Sequence, residues 1–202
     1  MYLSQILLDL MNRNIMSMLS DIYRLHQFVM SGFREYDNST RVLFRLEPEI
    51  RGDISKLLIQ SQVKPVWGPL GDKEKGIVMS GMKEFNPQFF RGTSYRFRLR
   101  ANPIVTRKGK RYGLIRNEAL SDWLKKKEEG IGVTFRAIAT IDEGYITGNK
   151  KKGESLDRVK IKRARFEGIL QVVDPGRIRE AINSGIGPAK ALGCGLLSLA
   201  RA

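Results

Sequence analysis

The sequence predicts an α+β protein of two tandem βαββαβ units, each an antiparallel sheet backed by helices. Three observations carry the prediction. Short stretches such as "RVLFRLEP" (41–48) and "SYRFRLRA" (94–101) alternate apolar and polar residues with the period of a strand. Capped segments with helical period lie between such stretches. In the second half the order reads strand, helix, strand, strand, helix, strand, and the first half fits the same order with its second helix poorly marked. The boundary is expected near residue 90, giving units 1–90 and 91–202; no sequence repeat links them.

In chain order, "YLSQILL" (2–8) is a short apolar strand ending at Asp9. "LSDIYRLHQFVMSGF" is a helix capped by Ser20 or Asp21 and closed near Gly32, with Ile22, Val29 and Phe33 as its apolar stripe. The alternating strand 41–48 has "KLLIQSQ" (56–62) as its partner. The stretch from Pro65 to Gln88, rich in proline and glycine, is expected to hold one short helix and the end of the first unit. After the strand 94–101, "PIVTRKGKRYGLI" (103–115) forms a hairpin with an almost wholly basic tip at 107–111. "NEALSDWLKKKEE" (117–129) reads as a helix with an Asn cap, acids early and lysines late, as the helix dipole prefers. "GVTFRAIATIDEGYITG" and "DRVKIKRARFEGILQVV" are strands. "DPGRIREAINSG" (174–185) is a helix with Pro175 in its first turn and Gly185 as its C-cap, and "CGLLSLAR" is the last strand.

Charge narrows the function. The 202 residues carry 36 Lys plus Arg against 21 Asp plus Glu, a net charge of +15. Residues 1–101 hold 15 basic and 10 acidic side chains and residues 102–202 hold 21 and 11, so the excess concentrates in the second half. Such a field attracts polyanions, nucleic acid foremost. No run of about 18 apolar residues occurs, so no membrane helix is expected. "MYLSQILLDL" does not read as a signal peptide. The single cysteine, Cys194, permits no internal disulfide and fits a reducing cytoplasm.

One His and one Cys cannot build a Cys/His zinc site, and no paired-acid cluster of metal-nuclease type stands out. No metal and no cofactor is therefore expected. "SGIGPAKALGCG" has neither the P-loop nor the dinucleotide spacing. Its Gly185, Gly187, Gly193 and Gly195, with Lys190, would let backbone N–H groups approach a phosphate; a tight helix-to-strand connection would read the same way. His26, the lone histidine, stands about 60° from Tyr23 on its helix, at the margin of the apolar stripe. The helix wheel by itself favours a half-buried packing residue. Arg158, Lys160 and Lys162 project from one face of a strand, a self-repelling row unless an anion meets it. The aromatic signature of base-stacking RRM domains is absent.

Four segments in order, "MYLSQILLD", "YRLHQ", "RFRLRANPIVTRKGKRYGL" and "GIGPAKALGCGLLSLAR", resemble the CasE family, the CRISPR repeat-processing endoribonucleases of the type I-E Cascade complex. Ile22 stands where that pattern has proline, and Gln27 where it commonly has a basic residue. The resemblance spans the chain and implies two ferredoxin-like (RRM-like) domains that cleave precursor CRISPR RNA at the base of the repeat hairpin without metal. It implies His26 as the catalytic histidine and Tyr23 as its partner. The RNA-binding set it implies comprises Arg24; Arg107, Lys108, Lys110 and Arg111 of the basic hairpin; Arg158, Lys160, Lys162 and Arg165; and Gly185, Gly187, Lys190, Gly193 and Gly195. The expected partners are the CRISPR repeat stem-loop and other Cascade subunits, in the cytoplasm. The rival readings are a non-catalytic RNA-binding protein of ribosomal or chaperone type on the same fold, and an enzyme whose glycine loop holds a nucleotide.

Overall fold

The computed structural model describes residues 1–33, 40–67, 76–152 and 155–202, and their side chains other than those of 48–51, 150–152 and 155–156. Strands β1 (Tyr2–Asp9), β2 (Val42–Arg51), β3 (Ile54–Ser61) and β4 (Ile77–Glu84) form one sheet in the order β2-β3-β1-β4. A second four-stranded sheet follows later in the chain. Its members are β5 (Ser94–Ala101), β8 (Val133–Lys152), β9 (Ser155–Val172) and β10 (Leu197–Arg201), in the order β10-β5-β9-β8. Between β5 and β8 the pair β6 (Ile104–Arg107) and β7 (Lys110–Gly113) stands as a two-stranded hairpin. Counted within its own sheet, each set of four runs 4-1-3-2. That is the ferredoxin-like arrangement, present twice.

Alternation explains the strands. In β1, Ser4, Ile6 and Leu8 are buried while their neighbours are half-buried, so one face meets the core. β1 pairs antiparallel with β3 on one side, Ile6 opposite Leu57, and with β4 on the other, Tyr2 opposite Glu84. In β5, Phe97, Leu99 and Ala101 face the second core, opposite Gly168, Phe166 and Ala164 of β9. Trp123 stacks on Phe166 at 5.7 Å there, and Phe97 meets Phe135 at 5.0 Å. Gly168 is needed for close approach: a Cβ there would lie 2.0 Å from the Ala137 carbonyl oxygen of β8. Burial of these apolar faces is the main favourable term in each unit.

The expected strands and three of the four expected helices are present, with corrections at their edges. The 20–33 helix is α2 (Ile22–Met30), capped by Asp21; Ser20 instead ends a separate helix, α1 (Arg13–Leu19), which the sequence does not announce. Asn12 caps α1, and of its seven residues only Ile15 is buried, so no apolar stripe marks it. The short helix expected between Pro65 and Gln88 has no counterpart among the described residues, where β4 stands instead. Long-range pairing with β1, not local propensity, makes that segment a strand. Asn117 is the first residue of α3 (Asn117–Lys125) rather than its cap; Arg116 takes the cap position without a side-chain bond. After the short α4 (Glu128–Ile131), α5 (Pro175–Ser184) has Asp174 as its cap, Pro175 at its start and Gly185 at its end. The final strand begins at Leu197, three residues later than expected.

Two compact units emerge, and neither is continuous in sequence. The first comprises Met1–Asn86, Thr147–Lys160 and Ala191–Gly193; the second comprises Pro87–Ile146, Ile161–Lys190 and Cys194–Ala202. β8 and β9, with 20 and 18 residues, are more than twice as long as β5, and their distal parts belong to the first unit. Among the described residues no helix is long and apolar enough to cross a membrane.

Candidate active site

The nine residues of α2 carry both candidate catalytic side chains. Asp21 adopts extended backbone angles, and its Oδ1 accepts from the N–H groups of Tyr23 (2.8 Å) and Arg24 (3.4 Å). Two otherwise orphaned donors at the helix start are thereby satisfied. Ile22, Leu25 and Val29 are buried, and Phe33 just beyond the helix joins them. That stripe turns Tyr23 and His26 to half-buried positions at its margin and leaves Arg24 exposed. The Arg24 Nη1 donates to Ser17 Oγ of α1 at 2.6 Å, which holds the guanidinium against that helix.

Two remote segments close on this helix. At the far end of β8, Gly148 lies flush against it: a Cβ there would come within 2.7 Å of Ile22 Cγ2 and of Tyr23 Cδ2. The next residue, Asn149, donates its backbone N–H and its Nδ2 to Asp21 Oδ2, both at 3.1 Å. From the other side comes the loop 191–193. Gly193, with φ of +77°, packs against Phe44 and Ile22 and leaves little room for a side chain, since its Cβ would lie 3.2 Å from the Phe44 ring. Burial pushes the His26 imidazole below its ordinary 6.5, and the backbone carbonyl of Ala191 acts the other way. His26 Nδ1 is buried and has no hydrogen-bond partner among the described residues. Burial thus favours the neutral form of the ring.

The basic residues divide into two kinds. Arg107, Lys108, Lys110 and Arg111 are all exposed on the β6–β7 hairpin, whose Lys108–Gly109 turn has positive φ at both positions, as a tight two-residue hairpin demands. Arg158 and Lys160 on β9 are exposed as well. Lys162 departs from the row expected for it. Its side chain is 3% exposed, donates to Asp142 at 2.5 Å and lies 4.9 Å from the centre of the Tyr145 ring, with Gly113 pressed against its stem. Arg165 is half-buried between Glu143 (3.7 Å) and Glu167 (3.4 Å). Alternation along a strand tells which residues share a face; it does not tell whether a carboxylate on the next strand has claimed one of them.

The glycine-rich segment is tightly built. Gly185 closes α5, Gly187 (φ +80°) lies against the Trp123 ring, and Gly195 (φ +91°) lies against the backbone of Ile186. Neighbouring protein fills the side-chain space at positions 187, 193 and 195. Lys190 is half-buried in the short 3-10 turn Lys190–Leu192. Residues that sequence reasoning missed are Gly148 and Asn149. The contact of Asn149 with Asp21 spans 128 positions, and no local signal announces it. Among the described residues no group of three or more His, Cys, Asp or Glu converges as metal ligands would.

A sequence model of the family described as "CRISPR associated protein" matches residues 1–201. The chain belongs to that family. A relative from Thermus thermophilus, the CRISPR-associated endoribonuclease Cse3, is 30% identical over 212 residues, covering 99% of this chain and 100% of its own length. The CRISPR system Cascade subunit CasE of Escherichia coli is 33% identical, with 89% and 92% covered. A solved structure of CRISPR endoribonuclease Cse3 bound to a 19-nucleotide RNA superposes with a TM-score of 0.86 at 30% identity, covering 99% of this chain and 100% of that one. The family resemblance read from the four sequence segments is thus shown.

Because the chain has a single histidine, its imidazole C–H resonances can be titrated without assignment. A midpoint below 6.5 is expected in the free protein, since burial is the dominant influence. The unfolded chain, at about 6.5, binds its proton more readily than the folded one. Stability should therefore fall, not rise, as pH drops below 6.5. A midpoint above 6.5 would mean that the ring is held charged.

Proposed function

We propose that this family member is an endoribonuclease that binds the CRISPR repeat stem-loop and cleaves precursor CRISPR RNA through the 2′-hydroxyl next to the scissile phosphate. The observation that carries the proposal is His26: a half-buried imidazole whose neutral form burial favours, at the margin of a capped helix and three residues from Tyr23. Similarity over the full chain to an endoribonuclease solved with RNA supports the same reading.

RNA brings its own nucleophile. In-line attack of the 2′-oxygen on phosphorus breaks the bond to the 5′-oxygen, leaving a 2′,3′-cyclic phosphate and a 5′-hydroxyl. One proton leaves the 2′-oxygen and one must reach the 5′-oxygen, and charge grows on the phosphorane between. A neutral His26 can accept a proton, and as imidazolium can return one. The Tyr23 hydroxyl orients the ribose or donates to a phosphate oxygen. The exposed cations of the β6–β7 hairpin, Arg24, Arg158 and Lys160 hold phosphates, with Lys190 and the more accessible backbone of 187–191 adding contacts; Gly185, Gly193 and Gly195 are buried in protein and serve the fold instead. Holding the strand in line supplies much of the remaining acceleration. The chemistry needs no metal. We place the protein in the cytoplasm, as a subunit of a Cascade assembly, on the strength of the Escherichia coli relative's name and the lone, buried Cys194.

His26→Ala should leave repeat-hairpin affinity nearly unchanged, because one neutral ring adds little to a cationic surface. The single-turnover cleavage rate should fall by about 10²- to 10⁴-fold, the usual worth of general acid–base catalysis. EDTA should change neither rate, and end-group analysis of the wild-type products should find the cyclic phosphate. Wild-type cutting by His26→Ala would return the histidine to a packing role and favour a binding protein without catalysis.

The division among the lysines is testable through salt. Arg158→Ala with Lys160→Ala should flatten the log–log salt dependence of RNA binding by about one unit per lost phosphate contact. Lys162→Ala should leave the slope unchanged and lower thermal stability instead. Its cost should fall short of the roughly 3–5 kcal/mol of a fully buried broken pair, because Asp142 keeps 30% exposure to water. A flattened slope from Lys162→Ala would place that ammonium on the RNA.

A further inference from the structure

Asp21 is a carboxylate at the start of the helix that carries the catalytic pair, on a surface that has to attract phosphates. As a helix cap its charge is unnecessary. Asparagine caps equally well, through one oxygen, and would not repel RNA. Asp174 at the start of α5 caps with Oδ1 and turns Oδ2 to Arg177 of its own helix, at 3.5 Å. Asn12 caps α1 with a single oxygen. Asp21 differs from both. Its Oδ1 caps α2, and its Oδ2 accepts two bonds from Asn149, 128 residues further along the chain.

The two capping bonds and the two from Asn149 all reach Asp21 from N–H donors, so both oxygens must be acceptors. An asparagine side chain with its oxygen on the cap would turn its amide nitrogen to the Asn149 backbone N–H, which would lose its acceptor, and only a flipped Asn149 amide could still bond to it. The neighbouring contact shows how closely the two segments meet: Gly148 leaves no room for a methyl group against Ile22 and Tyr23. The segment that is tied in this way, Thr147–Lys160, packs within the first unit and includes the exposed Arg158 and Lys160.

We propose that Asp21 is a positioning residue for RNA cleavage: its carboxylate locks the helix bearing Tyr23 and His26 to the β8–β9 arm bearing Arg158 and Lys160. It touches no reacting atom. It fixes where the catalytic ring stands relative to the phosphates gripped by the arm, and rests on the catalytic reading of His26 given above. A displacement of about 1 Å at such a joint is enough to lower a rate by about 10²-fold.

Asp21→Asn separates the two duties of the carboxylate, because it keeps the cap and takes the acceptor away from the Asn149 backbone N–H. It should melt within a few degrees of wild type and bind the repeat hairpin at least as tightly, having lost a negative charge. Its single-turnover cleavage rate should fall by about 10- to 100-fold. The exchange Asp21→Asn with Asn149→Asp gives the new amide on the helix a carboxylate acceptor on the arm, a stronger bond than a neutral amide offers, and should recover part of the lost rate. Asp21→Asn cutting at the wild-type rate while His26→Ala is inactive would overturn the positioning role alone. A loss matched by a lower melting temperature and not recovered by the exchange would also overturn it, leaving a purely structural cap. Wild-type cutting by His26→Ala would overturn the catalytic reading, and this proposal with it.

Discussion

A nine-residue helix cannot hold its own shape in water, since the cost of its first turn is spread over too few bonds. Everything proposed for the catalytic pair depends on how that limitation is met in α2. Ile22, Leu25 and Val29 bury one side of the helix, and the Asp21 carboxylate satisfies its first N–H groups. Gly148 and Gly193 let two remote backbones come against it where a side chain would intrude. The margin of the buried stripe is then a fixed place in the unit. It sets the exposure of His26, and that exposure sets the charge of the ring. Sequence, packing and protonation are linked here through one short element.

The same economy governs the cations. A net charge of +15 does not mean that every basic side chain faces outward. Lys162 is folded under Gly113 and paired with Asp142; Arg100 donates to both oxygens of Glu143. Arg163 is half-buried near Glu143, and its pKa is lowered by desolvation and by Arg100. Such pairs organise the second sheet. What remains exposed includes the β6–β7 hairpin, Arg24, Arg158 and Lys160, and these are positions that a phosphate backbone can reach.

Much of this was readable from the chain, for reasons that differ by element. β1, β5 and the β6–β7 turn announce themselves locally, by alternation or by a Lys-Gly step, and α5 by an Asp-Pro start. α1 does not, because only Ile15 of its residues is buried. β4 does not either, because pairing with β1 rather than its own residues makes it a strand. For the site, the helix wheel placed His26 at the stripe's margin, where it is half-buried, and pointed to packing; the catalytic role proposed for it comes from the family resemblance. The fate of Lys162 depends on a carboxylate on the neighbouring strand, and that of Asp21 on a residue 128 positions away. Glycine spacing shows where backbone can come close, yet not whether protein or ligand fills the space.

The central claim is that the RNA itself supplies the nucleophile and that the protein only positions it and moves its protons. The most direct measurement uses a repeat hairpin with a single 2′-deoxy substitution at the cleavage position. It should bind the wild-type protein with unchanged affinity and remain whole through a single-turnover time course in which the all-ribose hairpin is cut. Cleavage of the deoxy substrate would require water as the nucleophile, and would contradict the account of His26 at its root.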